Sequence, residues 1–437
     1  MLNYYFFLGL RSLRRNPALT ALMVLTLAVG VAASVATTTI LHVMSGNPIP
    51  HKSDRLFSVV LDVAPAAGYK PGDKPNDSQS TYRDAMNLVA SGQGLRRTAL
   101  YGMSVTVEPE RKELGVSGVE GIVTTKDFFA MFDVPFVAGQ AWSALDDANG
   151  TNLVVLSRAY SEKLYGTVQS VGKEVVMSGQ RFRVIGVADY WRPLPRYHLV
   201  IGHGAFDGAA EDYFFPISTA VRHQMPHFGS TNCSQKREPG FQGKLDSECT
   251  WVQTWFELAS VNERPVLQSY LDHYAAEQNR LGRLPRKAKN EIYDVVQWLE
   301  HLEVVEKDNR LAAWLSFGFL ALCLVNTVGL LLAKFSTRAG EVGVRRALGA
   351  SRAEVFQQFL VEAVVVGLAG GVLGLVLAWG ALELIALQSK ELALLAHMDL
   401  QMLVLTFALS VLASVLAGLL PTWRACNVTP ALQLKSQ

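Results

Sequence analysis

RLAAWLSFGFLALCLVNTVGLLLAKFSTRAGEVGVRRALGASR, residues 310–352, holds the two features on which the fold turns. Its first half carries no charge from Leu311 to Ala333 and is framed by Arg310 and Lys334. A helix of about 20 predominantly apolar residues crosses a bilayer core, so this stretch is long enough to span. The second half changes character at once. Lys334, Arg338, Arg345, Arg346 and Arg352 stand there against Glu341, with Glu354 just beyond. Links rich in Lys and Arg mark the cytoplasmic side of a membrane protein. Gly349 can end a short helix and Ser351 can cap the next one. That leaves an amphipathic turn outside the bilayer, with Val342, Val344 and Leu348 interleaved with Arg345 and Arg346. On the residues alone it is either a docking element or a basic loop that only fixes topology.

Working outward, three more windows are long enough to span. The first, 18–44, has no charge apart from a protonated His42; another, 356–387, is uncharged between Ala363 and Leu382; the last, 402–420, is closed by Pro421. Only 18% of the 437 residues are charged and half are hydrophobic, whereas soluble proteins carry about 25% charge. An integral membrane protein is expected, and a net charge of +2 gives no reason to invoke nucleic acid.

Arg11, Arg14 and Arg15 before the first window, and Arg424 and Lys435 after the last, place both termini in the cytoplasm. The link with Lys390, Glu391 and Asp399 then faces outward. The predicted order is a cytoplasmic segment 1–17, a first span 18–44, an extracytoplasmic domain with a stalk 45–310, and a second span 311–333. A cytoplasmic link 334–355, a third span 356–387, a short outer loop 388–400, a fourth span 401–423 and a tail 424–437 follow. The fold class is thus four transmembrane helices with a large α+β extracytoplasmic domain inserted between the first two.

The first window could instead be a cleaved signal, with a mature protein starting near Thr37. Its apolar run exceeds the roughly 7–15 residues of a signal core, which favours a retained span. Arg14-Arg15 is followed by Asn16-Pro17 rather than apolar residues, a poor twin-arginine signal. Before Pro17, Leu2, Phe6, Leu10 and Leu13 form one helical stripe opposite the arginines. The segment either lies along the lipid surface or is a simple basic flank.

Within 45–310 the pattern is mixed. Strands are expected at 56–63, 105–107, 116–123, 152–157 and 251–260, with a hairpin of 173–177 and 182–187 around Ser178-Gly179. Helices are expected at 81–90 after a Ser80 cap, at 127–132 after Thr125, at 158–165 before Gly166, and at 265–280. Residues 189–250 read as irregular, and from Val304 a helical pattern runs into the second span. Cys233 and Cys249 can pair in an oxidising compartment or remain two free thiols.

Glu341-Val-Gly-Val-Arg-Arg-Ala-Leu-Gly-Ala350, followed by Phe359-Leu-Val-Glu362-Ala, resembles the signature of MacB/FtsX-type ABC transporter permeases. The tail Pro421-Thr-Trp-Arg-Ala and, outside, Asp127-Phe-Phe, Ala138-Gly139-Gln140, Val154-Val-Leu-Ser157, Leu164-Tyr-Gly166, Val171-Gly-Lys173 and Phe182-Arg-Val-Ile-Gly-Val187 are similar to the same family. The resemblance covers nearly the whole chain. It implies that Arg338, Glu341, Val342, Gly343, Val344, Arg345, Arg346, Leu348, Gly349, Ser351 and Arg352 form the element coupled to a separate ATP-hydrolysing subunit. It also implies a homodimer in the inner membrane with its first and second helices near the axis, and leaves room for a periplasmic adaptor and an outer-membrane channel. ATP and magnesium are expected in the partner ATPase, because no Gly-x-x-x-x-Gly-Lys-Ser/Thr loop occurs in this sequence. An FtsX-like regulator of an extracytoplasmic enzyme is the alternative reading, and a membrane-anchored receptor or enzyme a third.

Gly367, Gly370, Gly371 and Gly374 give overlapping Gly-x-x-x-Gly pairs, which point to close helix packing. Glu362 and Glu383 lie in the third span. A charge at mid-bilayer costs about 2.5–3.5 kcal/mol, so Glu362 is expected to face neighbours or headgroups, with proton coupling as the sharper alternative. His198, His203, His223 and His227 with Asp207, Glu211 and Asp212 are the candidate metal ligands. Pro226 speaks against a His223/His227 helical pair, and loop-packing histidines are the expectation. No catalytic site is expected.

Overall fold

The structure, a computed structural model, describes residues 16–75, 77–206, 211–286, 289–305 and 307–388, with scattered positions from 393 to 423. The chain divides into two compact units, Gly46–Val304 and the segments on either side of it. Helices in chain order are α1 (Pro17–Met44), α2 (Tyr82–Ala90), α3 (Phe128–Met131), α4 (Ala144–Asn149), α5 (Arg158–Tyr165) and α6 (Ile217–Arg222). They continue as α7 (Gly240–Asp246), α8 (Arg264–Arg280), α9 (Val295–His301), α10 (Lys307–Ser336), α11 (Ala339–Ala347) and α12 (Arg352–Ala386). Strands are β1 (Leu56–Val60), β2 (Ser80–Thr81), β3 (Arg96–Glu108), β4 (Ser117–Thr124), β5 (Phe136–Gly139) and β6 (Leu153–Ser157). After them come β7 (Glu174–Met177), β8 (Gln180–Ala188), β9 (Tyr213–Pro216), β10 (Thr250–Glu257) and β11 (Glu291–Asp294).

In the inserted unit the strands among the described residues join one sheet, ordered β11-β1-β10-β3-β4-β9-β6-β8-β5, with β2 on β10 and β7 bridging β3 and β8. Pairing is antiparallel except for β4 with β9 and β6 with β8. Alternation of side chains along a strand sends apolar residues to both faces. Val154 and Leu156 of β6, with Tyr213 and Phe215 of β9, enter one core; Leu153, Val155 and Phe214 enter the other. A third cluster gathers Phe57, Phe256, Leu267 and Leu271 under α8. At the β7–β8 turn Ser178 and Gly179 both take positive φ, 48° and 73°, as a two-residue hairpin of this hand requires.

Several expectations are corrected here. Thr81, not Ser80, caps α2, accepting from the Asp84 N–H. Thr125 does not cap α3; its hydroxyl donates instead to Thr98 at 3.0 Å. The stretch 189–250 is less irregular than it reads, because it contains β9, α6 and α7. β11 and α4 had no counterpart in the sequence reading, and α10 starts at Lys307 rather than near Val304. Cys233 and Cys249 form a disulfide with their Cα atoms 4.3 Å apart, and Cys323 is a free, buried thiol.

The other unit holds three helices long and apolar enough to cross a membrane, in α1, α10 and α12, among the described residues. α1 lies between the other two. Its Gly30 meets Cys323 of α10, while Leu27 and Val31 lie over Gly370 and Gly374 of α12. The Ser34 hydroxyl donates to the Ser316 carbonyl at 3.1 Å, which keeps a polar group satisfied among apolar neighbours. Gly367 and Gly371 are buried in α12 beside those two glycines. Leu25, Leu315, Leu322, Val325, Val376 and Trp379 are exposed, as residues facing lipid or another subunit would be. The 1–15 segment, Lys390 and its loop, Cys426 and the tail lie outside the described residues. Of the fourth window only Val404, Ala408, Val411, Leu412, Val415, Leu416, Gly418 and Leu419 are described, all helical.

Candidate functional site

The elbow between α10 and α12 begins where α10 stops at Ser336. The Thr337 hydroxyl donates to the Lys334 carbonyl at 2.8 Å, and the chain re-enters helix after Arg338. α11 is nine residues long. Gly349, at φ 102°, turns the chain out of it, a conformation that favours glycine. Ser351 then starts α12 through a reciprocal cap with Glu354.

α11 has two faces. Val342 is buried in a cluster with Met23, Leu331, Phe335, Val355, Phe359, Ala363 and Val366. Gly343 is buried beside it. Glu341, Val344, Arg345 and Leu348, at i, i+3, i+4 and i+7, share the opposite side, and all are exposed. Leu348 is 84% exposed, which is unusual for a large apolar residue. The expectation of one interleaved turn is therefore corrected. At about 100° per residue, Val342 falls opposite Val344 and Leu348, so one apolar residue anchors the helix while two face out.

Polar contacts tie the elbow to α12, one of them from the exposed side of α11. Arg345 donates to the Gln358 side chain at 2.9 Å. One turn further along α12, Glu362 lies 2.5 Å from Lys334 Nζ and 3.2 Å from Arg338 Nη1. Lys334 and Glu362 are 0% and 1% exposed. Phe335 and Phe359 pack below with ring centroids 4.2 Å apart. Glu362 thus faces neighbouring side chains. Arg346 is half-buried, and Arg352 is exposed at the start of α12. Lys334, Phe335, Gln358 and Phe359 belong to this arrangement and were missed as site residues; Lys334 and Arg338, four apart and just outside an apolar span, were the available signal.

The histidines do not converge. His198 is buried, 3.2 Å from Glu211, and burial lowers its pKa. Burial opposes the Glu211 charge too, but Arg196 and His198 overcome it and hold the carboxyl at about 2. His203 contacts the Phe228 carbonyl, His223 reaches Asn152, and His227 pairs with Thr231 and Lys244. Among the described residues no three His, Cys, Asp or Glu side chains come together as metal ligands, and Asp207 lies outside those residues.

Comparison with known proteins adds the following. The profile of the MacB-like periplasmic core domain matches residues 20–254, and that of the FtsX-like permease C-terminal region matches 313–430. A relative named macrolide export ATP-binding/permease protein MacB, from Syntrophobacter fumaroxidans, is 21% identical over 98% of this chain and 63% of its own length. Its Bdellovibrio bacteriovorus namesake is 23% identical over 68% of this chain and 41% of its own. The uncharacterized ABC transporter permease YvrN of Bacillus subtilis is 24% identical over 71% of this chain and 68% of its own. The chain therefore spans about two fifths of the length of several MacB relatives it matches. Among solved structures, the periplasmic region of MacB from Actinobacillus actinomycetemcomitans aligns at 14% identity and TM-score 0.36, over 58% of this chain and 95% of that one. The extracellular domain of the transporter YknZ from Gram-positive bacteria aligns at 12% identity and TM-score 0.35, over 55% and 99%.

Proposed function

The chain belongs to the ABC transporter permeases that join a MacB-like periplasmic core domain to an FtsX-like C-terminal region, and from that premise we propose that it transmits ATP-driven motion from a separate cytoplasmic ATPase to its periplasmic domain for export of a substrate. The ATPase docks on the outward face of α11. Val344 and Leu348 supply an apolar anchor there, and Glu341 and Arg345 supply charges that orient the partner. The chain crosses the inner membrane four times with both termini in the cytoplasm, and two copies form the working permease. ATP and magnesium are bound by the ATPase.

The observation that carries this reading is the two-faced elbow: a short helix fixed to the spans through Val342 while leaving Leu348 84% exposed. A loop that only set topology would need positive charge but no outward apolar pair. Relatives carrying both functions in their names, ATP-binding and permease, support the pairing with an ATPase. So does the match of the permease profile to the region containing the elbow.

The test is Arg345→Glu with Arg346→Glu in the full chain, co-expressed with candidate ATP-binding subunits and purified into nanodiscs. Co-purification of the ATPase and its hydrolysis in the complex should be lost by about tenfold or more, with the folded chain intact. Unchanged binding and hydrolysis would refute the elbow as the docking site.

A further inference from the structure

Resting on that coupling role, we infer that Glu362 is a positioning residue that latches the joint between the second span and the elbow, so that both move as one piece with the third span. The joint is the break at Thr337 and Arg338 between α10 and α11. Cations stand on both sides of it: Lys334 in the last turn of α10 and Arg338 at the start of α11. One carboxylate from α12 takes both, with Oε1 on Lys334 and Oε2 on Arg338. Swinging α11 about the joint pulls Arg338 off an oxygen pair that Lys334 still holds. Lys334 and Glu362 are fully buried, so water cannot replace the broken contact at low cost.

The neighbours close the same joint. Phe335, beside Lys334, packs on Phe359, one turn before Glu362, and Val342 of α11 enters that cluster. Arg345 reaches Gln358 one turn earlier on α12. Val355, Gln358, Phe359 and Glu362, at i, i+3, i+4 and i+7, therefore make one face of α12 that meets the end of α10 and α11.

A buried ionic group is a poor route to stability, since apolar residues of similar volume do as well or better. What it supplies is one defined register, which apolar contacts alone allow to slip. A carboxylate holding cations on opposite sides of a joint serves transmission: a push on α11 reaches α10 and α12 together instead of being absorbed by rotation at Thr337.

The experiment uses the full chain alone in nanodiscs and reads amide hydrogen exchange over 336–351. Three variants are compared with the parent. They are Glu362→Gln, the neutral set Lys334→Met with Arg338→Met and Glu362→Met, and the exchanged set Lys334→Glu with Arg338→Glu and Glu362→Arg, in which one cation faces two carboxylates. Exchange in the elbow should speed up by about tenfold or more in the first two, while peptides from the middle of α1 stay as in the parent. The exchanged set should restore protection. If Glu362→Gln does not fold, the neutral set decides, because it leaves no lone buried charge. Parent-like protection in the neutral set, or no recovery in the exchanged set, would overturn the latch. No ATPase is present, so this result is independent of the docking test, and either reading can fail without the other.

Discussion

Replacing Gly374 by alanine isolates the packing of α12 on α1, because Gly380 in the same helix supplies a matched control. A methyl on Gly374 would lie 2.8 Å from Val31 Cγ1, 2.9 Å from Val31 Cβ and 3.0 Å from the Ala28 carbonyl oxygen. Two of these three atoms cannot swing away by a rotamer change: the carbonyl belongs to the backbone and Cβ is fixed to it. The helices must separate by several tenths of an ångström. A methyl on Gly380 would meet no described atom within 4 Å.

Both substitutions gain the same helix propensity, about 0.8–1 kcal/mol, so it cancels in the comparison. The remaining difference is the cost of overpacking, about 1–3 kcal/mol. Cys323 is a native reporter, since its thiol is buried against Gly30, next to Val31 in α1. With Cys426→Ser as background, and Cys233 and Cys249 in their disulfide, Cys323 is the thiol left to react. Its maleimide labelling in nanodiscs should be about 5- to 150-fold faster in Gly374→Ala than in Gly380→Ala, the factor that 1–3 kcal/mol implies for bundle opening. Equal labelling rates would refute the assignment of these glycines to close approach.

Other outcomes concern the periplasmic unit. Asp84 is fully buried and bonded to Thr81, Tyr274 and both terminal nitrogens of Arg283. Asp84→Ala leaves Arg283 short of a partner and should cost about 3–5 kcal/mol; a loss below about 1 kcal/mol in denaturant titration would contradict the network. Opening the disulfide, whose cysteines are 16 residues apart, should cost about 3 kcal/mol by loop entropy. It should also loosen the loop that carries the exposed Lys236 and Arg237 and speed trypsin cleavage there, and an unchanged cleavage rate under reductant would count against this. Burial, and then Lys244, lower the His227 pKa to about 4. Its unfolded value is about 6.5, so stability is full above that pH and drains away as pH falls toward 4. His227→Gln should flatten this slope. Asp147 and Asp212, raised to about 6 mainly by burial, act in the opposite sense in parent and variant alike. A variant whose denaturation midpoint falls between pH 7 and 5 as steeply as the parent's would refute the assignment.

Apolar length is a one-dimensional property, so the three helices long and apolar enough to span among the described residues were readable, and positive φ at Ser178-Gly179 follows from local turn chemistry. β9 was not readable. Tyr213–Pro216 is four residues long, buried on both faces and ends in proline, so it shows neither alternation nor strand length. β11 is as short and has charges at both ends. Its place beside β1 comes from pairing with residues more than two hundred positions earlier. Thr125 failed as a cap for a tertiary reason: Thr98, on the neighbouring strand, takes its hydroxyl. Such choices depend on partners that only the folded chain brings near.

The elbow shows where sequence reasoning stops. Amphipathicity pointed to a short helix after the span, yet Val342 and Val344 look equivalent until the helix has a floor; only packing against the Phe335–Phe359 cluster decides which one is inside. Glu362 is a sharper instance. Burial in a span demands a partner, yet the cations nearest in chain order, Arg352, Arg346 and Arg345, are passed over for Lys334 and Arg338, 28 and 24 positions back. The rule narrows the candidates, but it cannot say that both share one carboxylate or that a joint lies between them. Removing Glu362 alone would take the carboxylate from the buried Lys334 and damage the bundle whatever its role. Only a variant that removes all three charges separates a contact needed for folding from one needed for transmission.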